Sequence, residues 1–390
     1  MRARHTSRAV AVALGAAVSL ALGACTGTAY WLPGDSSPGG GTQTAGPTAG
    51  DGSVADPADI APVEVDPDLL RGEPEAAPVA CPPAGAPASG ATSTVVSTGA
   101  ELTRALAAAR PGSVIALADG RYEGTFTATA QGTADDPILL CAVGTGAVLE
   151  GGEVDSGYTL HLDGAAHWVL QGFAVRGGQK GVMLDATTDT VLRGLTVSGT
   201  GDEAVHFRAG SGDNLLIGST ISDTGLREER FGEGVYVGSA ESNWCDVSAC
   251  EPDRSDRNRV VGNVIASTSA ESIDVKEGTT GGEIRGNQLD GTGMSAADSL
   301  LDVKGSGWRV TGNEGTGAPV DGAQVHVIVD GWGAGNEFSA NTFALRDPDG
   351  FAVKLSGDAL GAGNAVSCDN VALLDSLPAP DALSNAPCAS

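Results

Sequence analysis

Residues 271–278 read ESIDVKEG and residues 300–305 read LLDVKG, so Asp-Val-Lys is written twice, 28 residues apart, in a chain of 390 residues with only four lysines: Lys180, Lys276, Lys304 and Lys354. In each copy apolar and charged residues alternate. On an extended strand Ile273 and Val275 therefore face one side, and Asp274 and Lys276 the other. Similar triplets recur as TLHLDG (159–164), GVMLDA (181–186), AVHFRAG (204–210), GVYVGS (234–239), QVHVIVD (324–330) and FAVKLSG (351–357). Most are followed by a second apolar run such as TVLRGLTV or RVVGNVI. A self-similar period of about two dozen residues, built from short aliphatic strands with Gly, Asn, Asp and Ser between them, predicts an all-β solenoid of stacked parallel coils. The 58 glycines and the low aromatic content, 4%, suit coils that stack small side chains and turn sharply.

The chain ahead of the repeats has a different character. Arg2, Arg4 and Arg8 precede the apolar run AVAVALGAAVSLALGA, which is too short to span a bilayer and reads as an export signal. Leu22-Gly23-Ala24-Cys25 resembles the bacterial lipobox, which implies a lipid on Cys25 and an exported protein anchored to the outer face of the cell membrane by that lipid alone. The expected organisation is a lipoprotein signal peptide over 1–24, a disordered acidic Pro/Gly-rich linker over 25–90, and the repeat domain over 91–390, acting as a monomer. Thr98-Gly99-Ala100-Glu101 forms a capping box before LTRALAAARPG, so a short helix is expected to close the first coil.

Six further cysteines in an exported chain point to disulfides. Pairing sequence neighbours gives Cys81 with Cys141, Cys245 with Cys250 and Cys368 with Cys388, one of fifteen formal connectivities. No Cys-x-x-Cys motif supports a zinc site instead. A formal charge of −27 argues against nucleic acid or an anionic membrane surface as partner.

The opening TGAELTRALAAARPGSVIALADGRYEGTF and the following DDPILLCAVGTGAVLEGG resemble the N-terminal cap and first rung of right-handed parallel β-helix proteins of the pectin-lyase-like superfamily, in its chondroitinase B and alginate lyase branch. The resemblance covers about residues 94 to 375. It implies a right-handed parallel β-helix acting on an extracellular polysaccharide.

Stacked coils place equivalent residues about 4.8 Å apart. Asp274 then lies beside Asp302, and Lys276 beside Lys304. The same column takes in His161, Met183, His206, Tyr236, His326 and Lys354, with Arg208 beside the lysines. Three residues upstream of it, Glu203, Glu233 and Glu271 fall on successive coils. Three carboxylates at that spacing repel by ~3 kcal/mol per pair, so either they splay into solvent as an acidic ridge or a cation holds them, and Ca2+ takes such oxygen sets. Ca2+ beside lysine suits β-elimination on a uronate polymer, an acidic polysaccharide: the cation neutralises the substrate carboxylate and a neutral lysine removes the C5 proton. A neighbouring ammonium and Ca2+ are expected to lower the lysine pKa for that purpose. In the resembling branch a Lys base, an Arg and a carboxylate-bound Ca2+ share one groove. Carried over, this implies Lys276 as base, with Lys304 its nearest substitute, Glu271 as ligand, and Arg208 or Arg285 as the arginine. The branch's glutamate and Lys-Ser spacing is not reproduced, since Glu277 follows Lys276.

Two other functions fit the same columns. Asp274 and Asp302 could serve as the carboxylate pair of a glycoside hydrolase. A non-catalytic glycan-binding lipoprotein would use His206, Tyr236, His326 and Trp332 as a platform for sugar rings. The insertion 241–259, ESNWCDVSACEPDRSDRNR, is expected either to rim the groove with Trp244 and Arg254 or merely to shield the sheet. Asn263, Asn287, Asn313 and Asn341 recur after the second run and read as an asparagine ladder at a bend, where Asn tolerates left-handed geometry. His167 and Trp168 read as packing residues of the second strand.

Overall fold

The computed structural model describes Cys81 and residues 93–389. The expected signal peptide, Cys25 and most of the expected linker lie outside these residues. Three parallel sheets run the length of the domain, of eleven, nine and eleven strands. The first begins at Ser93–Val96, the second at Phe126–Ala128 and the third at Gly120–Glu123. One coil shows the plan. Val235–Val237 of the second sheet leads through Arg259–Val261 of the first and Val264–Ala266 of the third, and the chain then returns as Ile273–Val275 beside its starting strand. The architecture is the parallel β-helix expected from the repeats.

Alternation within each strand builds the core. In the second sheet the inward positions are Leu160, Val182, Val205, Val235, Ile273, Leu301, Ala323 and Val353 in one stack, and Leu162, Leu184, Phe207, Val237, Val275, Val303, Val325 and Leu355 in the next. All are buried. Each side chain of this kind contributes ~1.5–3 kcal/mol on burial, so the stacks hold the coils in register. At the N-terminal end the helix Gly99–Ala107 starts at Thr98, whose hydroxyl accepts from the Glu101 amide, and it buries Leu102 and Leu106 against the first coils. The reciprocal carboxylate bond of Glu101 goes to the Ser97 amide at 2.8 Å. At the other end Leu377–Pro378 folds back antiparallel on Val371–Leu374. All three disulfides join the pairs expected from neighbouring cysteines.

The asparagine ladder is present and longer than the sequence suggested, with one correction. Asn263, Asn287, Asn313, Asn341 and Asn370 stack, each side-chain amide donating to the next Oδ1 at 2.8–3.0 Å. None of these asparagines is left-handed. The residue before each of the first four takes that conformation: Gly262, Gly286 and Gly312 with φ of 60–64°, and Ala340 at 53°. That twist turns the following Asn inward, where its side chain also bonds a carbonyl of the preceding coil, as Asn287 Nδ2 does with Val260 O at 2.9 Å. Asn287→Ala is expected to destabilise the domain by at least ~2 kcal/mol, because it strands the Asn263 side-chain amide and a buried carbonyl. A denaturant midpoint unchanged from the parent would refute that role.

Candidate functional site

The outward positions of the second sheet form the site. Paired strands align His161, Met183, His206, Tyr236, Asp274, Asp302, Gln324 and Lys354 in one column. His326, expected in this column, is displaced by Gln324. It stands one outward position further along, on the level of Lys304, where its amide bonds Val303 O. The cause is a slip of two residues: Ala323 and Val325 satisfy the inward pattern as well as Val325 and Val327 do, and a two-residue slip keeps every side chain on its face.

Lys276 and Lys304 are neighbours as expected, and Asp274 binds both. Lys276 Nζ lies 2.6 Å and Lys304 Nζ 2.8 Å from its two oxygens. Lys304 continues to Asp302 at 2.6 Å, and Asp302 to His326 Nδ1 at 2.9 Å. Charge thus alternates along a nearly enclosed chain, Lys276, Asp274, Lys304, Asp302, His326. Burial acts to lower both lysine pKa values, but the Asp274 charge more than reverses it and holds them above the usual ammonium range. The depressed lysine pKa expected from a neighbouring ammonium is therefore absent, because a carboxylate stands between the two cations. Asp302 is likewise kept ionised: burial opposes it, and the Lys304 charge and the His326 hydrogen bond prevail.

The three glutamates do stack, since the amides of Ala204 and Gly234 bond the carbonyls of Glu233 and Glu271. Their side chains divide. Glu203 is ion-paired to Lys180 and lies 3.3 Å from His206 Nδ1. Against its burial these partners bring its pKa down to about 2. It is thus already neutralised and does not join the other two, which corrects the expected trio. Asp274 takes its place. Among the described residues, Glu233, Glu271 and Asp274 bring one ligand oxygen each within 4.8 Å of one another. Burial, reinforced by the Glu203 and Asp274 charges, pushes Glu233 well above the carboxylate range. Burial and Asp274 raise Glu271 to about 7. Glu233 Oε2 is buried without a hydrogen-bond partner. An orphaned buried oxygen among carboxylates that resist ionisation is the signature of a site suited to a cation with oxygen ligands.

Around this centre, Tyr236 is half-buried between two partners. The Lys276 ammonium lies over its ring, 4.9 Å from the centroid, and His206 meets it edge-on at 4.6 Å. Burial and the Asp274 charge raise its phenol pKa. His206 Nε2 is bound to Gly238 O at 2.9 Å, which ties this histidine to the scaffold. Arg208 forks onto Asp185 at 2.7 and 2.9 Å, and His161 shares that carboxylate at 2.9 Å. Asp185 and Gln324 were missed in the sequence, where their signal was a polar residue at an outward strand position; Lys180, also missed, stands at the start of its strand.

The loops beyond the strand ends form one rim. Arg254 lies over the Trp332 ring at 5.5 Å and pairs with Asp256 at 2.8 Å. Trp244 is not at the rim. It is 8% exposed, packs against Gly278 and donates its indole N–H to Ser239 O, forming the small core of the disulfide-closed insertion. A separate cleft of about 680 Å3 lies on the outer face of the first sheet, with His167, Val169, Leu215, Arg257 and Arg309 in its lining. None of the groups of the charged column reaches it, and His167, read as a packing residue, borders it from a left-handed corner.

The structure superposes on that of an alginate lyase from Paenibacillus sp. str. FPU-7 with a TM-score of 0.68 and 38% identity, covering 72% of this chain and 95% of that one. Pectate lyase Pel9A shares the fold, with a TM-score of 0.56 and 17% identity over 77% of this chain and 83% of that one. No family model and no curated protein matches the chain. The chain belongs to the right-handed parallel β-helix polysaccharide lyases.

Proposed function

We propose that this protein is a cation-assisted alginate lyase, exported and held at the cell surface by a lipid on Cys25. The observation that carries the chemistry is the Glu233, Glu271 and Asp274 cluster lying against Lys276. The substrate class is supported by the alginate lyase at 38% identity, whose length is covered almost completely. Export is supported by the N-terminal signal and by three disulfides.

Glu233, Glu271 and Asp274 would hold Ca2+. When bound, the ion would supply positive charge for the uronate carboxylate and cancel the Asp274 charge that holds Lys276 protonated. Lys276 then accepts the C5 proton. The electron pair of the C5–H bond forms the C4–C5 double bond, and the C4–O bond breaks. Tyr236, whose phenol is kept protonated beside Lys276, donates a proton to the departing oxygen. Lys304 and Arg208 are the cations for neighbouring uronate carboxylates, and the half-buried His326 and Trp332, with Arg254, line the side of the groove that Lys276 occupies.

The hydrolase alternative lacks its acid in Asp302, which is held ionised between Lys304 and His326. A purely binding role gives no use for a lysine and phenol in contact. The test is the ultraviolet absorbance of the unsaturated uronate product on alginate, polygalacturonate and glycosaminoglycans, with and without Ca2+. A Ca2+-dependent rise on alginate is expected. Release of reducing ends without that absorbance would overturn the elimination chemistry.

A further inference from the structure

The proposed elimination uses the second sheet from Arg208 to His326 and gives the earlier coils of that sheet no task. On the outward side of those coils a second polar cluster stands in the same groove. Paired strands set Tyr158 beside Lys180, His161 beside Met183, and Asp163, Asp185 and Arg208 in one row. Asp185 is the centre of the cluster. Arg208 donates to both of its oxygens, through Nε at 2.7 Å and Nη2 at 2.9 Å, and His161 Nε2 lies 2.9 Å from Oδ2. Burial opposes ionisation of this carboxyl, and the bonds from His161 and Arg208 prevail and keep it ionised. An ionised carboxylate only accepts, so His161 donates to it from Nε2, which fixes the ring and leaves Nδ1 as its second polar atom. Tyr158 meets that ring edge-on, with centroids 5.2 Å apart and planes at 81°.

These groups are held and still reachable. The side chains of His161, Asp185 and Arg208 are 21%, 16% and 24% exposed, and Tyr158 is partly exposed as well. Fixed polar groups beside an aromatic ring suit a pyranose, which presents hydroxyls at its rim and C–H groups on its faces, and their prior ordering lowers the cost of binding it. Position supplies the rest. Tyr158 and His161 lie on a strand three places from that of Tyr236, ~14 Å along the groove. The spacing of coils is close to the advance of one sugar residue in a polymer laid along the stack. A chain whose cleaved bond lies at Tyr236 and Lys276 therefore sets about its third residue from that bond on this cluster. Arg208, one strand from Tyr236, meets a nearer residue.

We propose that Tyr158 and His161, oriented by Asp185, form a remote subsite for a uronate residue of the polymer, about three residues from the cleaved bond. The assignment rests on the proposed elimination at Lys276 and Tyr236. The subsite does not touch the reacting atoms. It holds a long chain in register over them, so binding energy gained far from the cleaved bond contributes to its turnover.

Alginate oligomers of graded length test this, with ultraviolet absorbance for cleavage and calorimetry for binding. His161→Ala and Tyr158→Leu both leave the Asp185 and Arg208 pair in place. Each is expected to lower kcat/KM on long oligomers about tenfold relative to the shortest oligomer that the parent protein cleaves. A purely structural defect lowers both alike, so a loss equal at every length, or no loss at any, would overturn the subsite. Absence of unsaturated product from every oligomer with the parent protein removes the lyase reading instead, and binding then decides. Affinity of the Lys276→Ala protein for long oligomers should fall about tenfold when His161→Ala is added. An unchanged affinity refutes the subsite whether or not the protein is a lyase.

Discussion

Lys276→Ala is expected to lower kcat on alginate by about 10²–10⁴-fold, the range for removal of a positioned proton-transfer group, with a much smaller change in KM. Lys276→Arg should be equally inactive, since a guanidinium is not deprotonated at working pH. The fold should survive either change, because Asp274 retains Lys304 at 2.8 Å and is not left as an unpaired buried charge. Lys304→Ala, by contrast, should act mainly on KM. Steady-state rates from the ultraviolet assay, with a melting curve for each variant, check this. Full turnover in Lys276→Ala would remove the base assignment and shift attention to Tyr236.

Stripping the cation is expected to be as damaging. With a chelator, turnover should fall at least tenfold and return on adding Ca2+. Glu271→Gln should weaken Ca2+ binding by more than ~10–100-fold, the range seen for groups that merely support a ligand. The pH dependence follows from Glu271, raised to about 7 by burial and the Asp274 charge. Protons compete with the ion at Glu271 below that pH, and at Glu233, which burial and its charged neighbours hold well above the carboxylate range, so apparent Ca2+ affinity should climb as pH rises through neutrality. Stability of the ion-free protein should move the opposite way. Between the ordinary carboxylate pKa and about 7 the folded state holds a proton that the unfolded state has released, so this contribution to stability falls as pH rises through the window. Glu271→Gln should flatten the slope. Melting temperatures at pH 5 and 8, with chelator and with Ca2+, read both effects; a chelated enzyme with unchanged activity and melting temperature would leave the cluster without a cation role.

The alternating triplets, the glycine and asparagine punctuation and the capping box by themselves determined the solenoid, its terminal helix and the stacking of Asp274 on Asp302 and Lys276 on Lys304. These are local patterns of period two repeated at a nearly constant interval, and burial of one strand face enforces them coil after coil. The tertiary structure alone decided what the pattern leaves degenerate. A two-residue slip preserves the alternation, so the strand that ends at Val325 could place either Gln324 or His326 in the column, and packing against Val303 and Val353 selected Gln324. Which carboxylates share a site was equally hidden. Glu203, Glu233 and Glu271 are alike in sequence, but Lys180 and His206 approach only Glu203, leaving Glu233 and Glu271 to gather with Asp274. Lysine protonation was misread for the same reason. Electrostatic energy depends on the distance between particular side-chain atoms, and Asp274 came to rest between two ammonium groups that the sequence had set side by side.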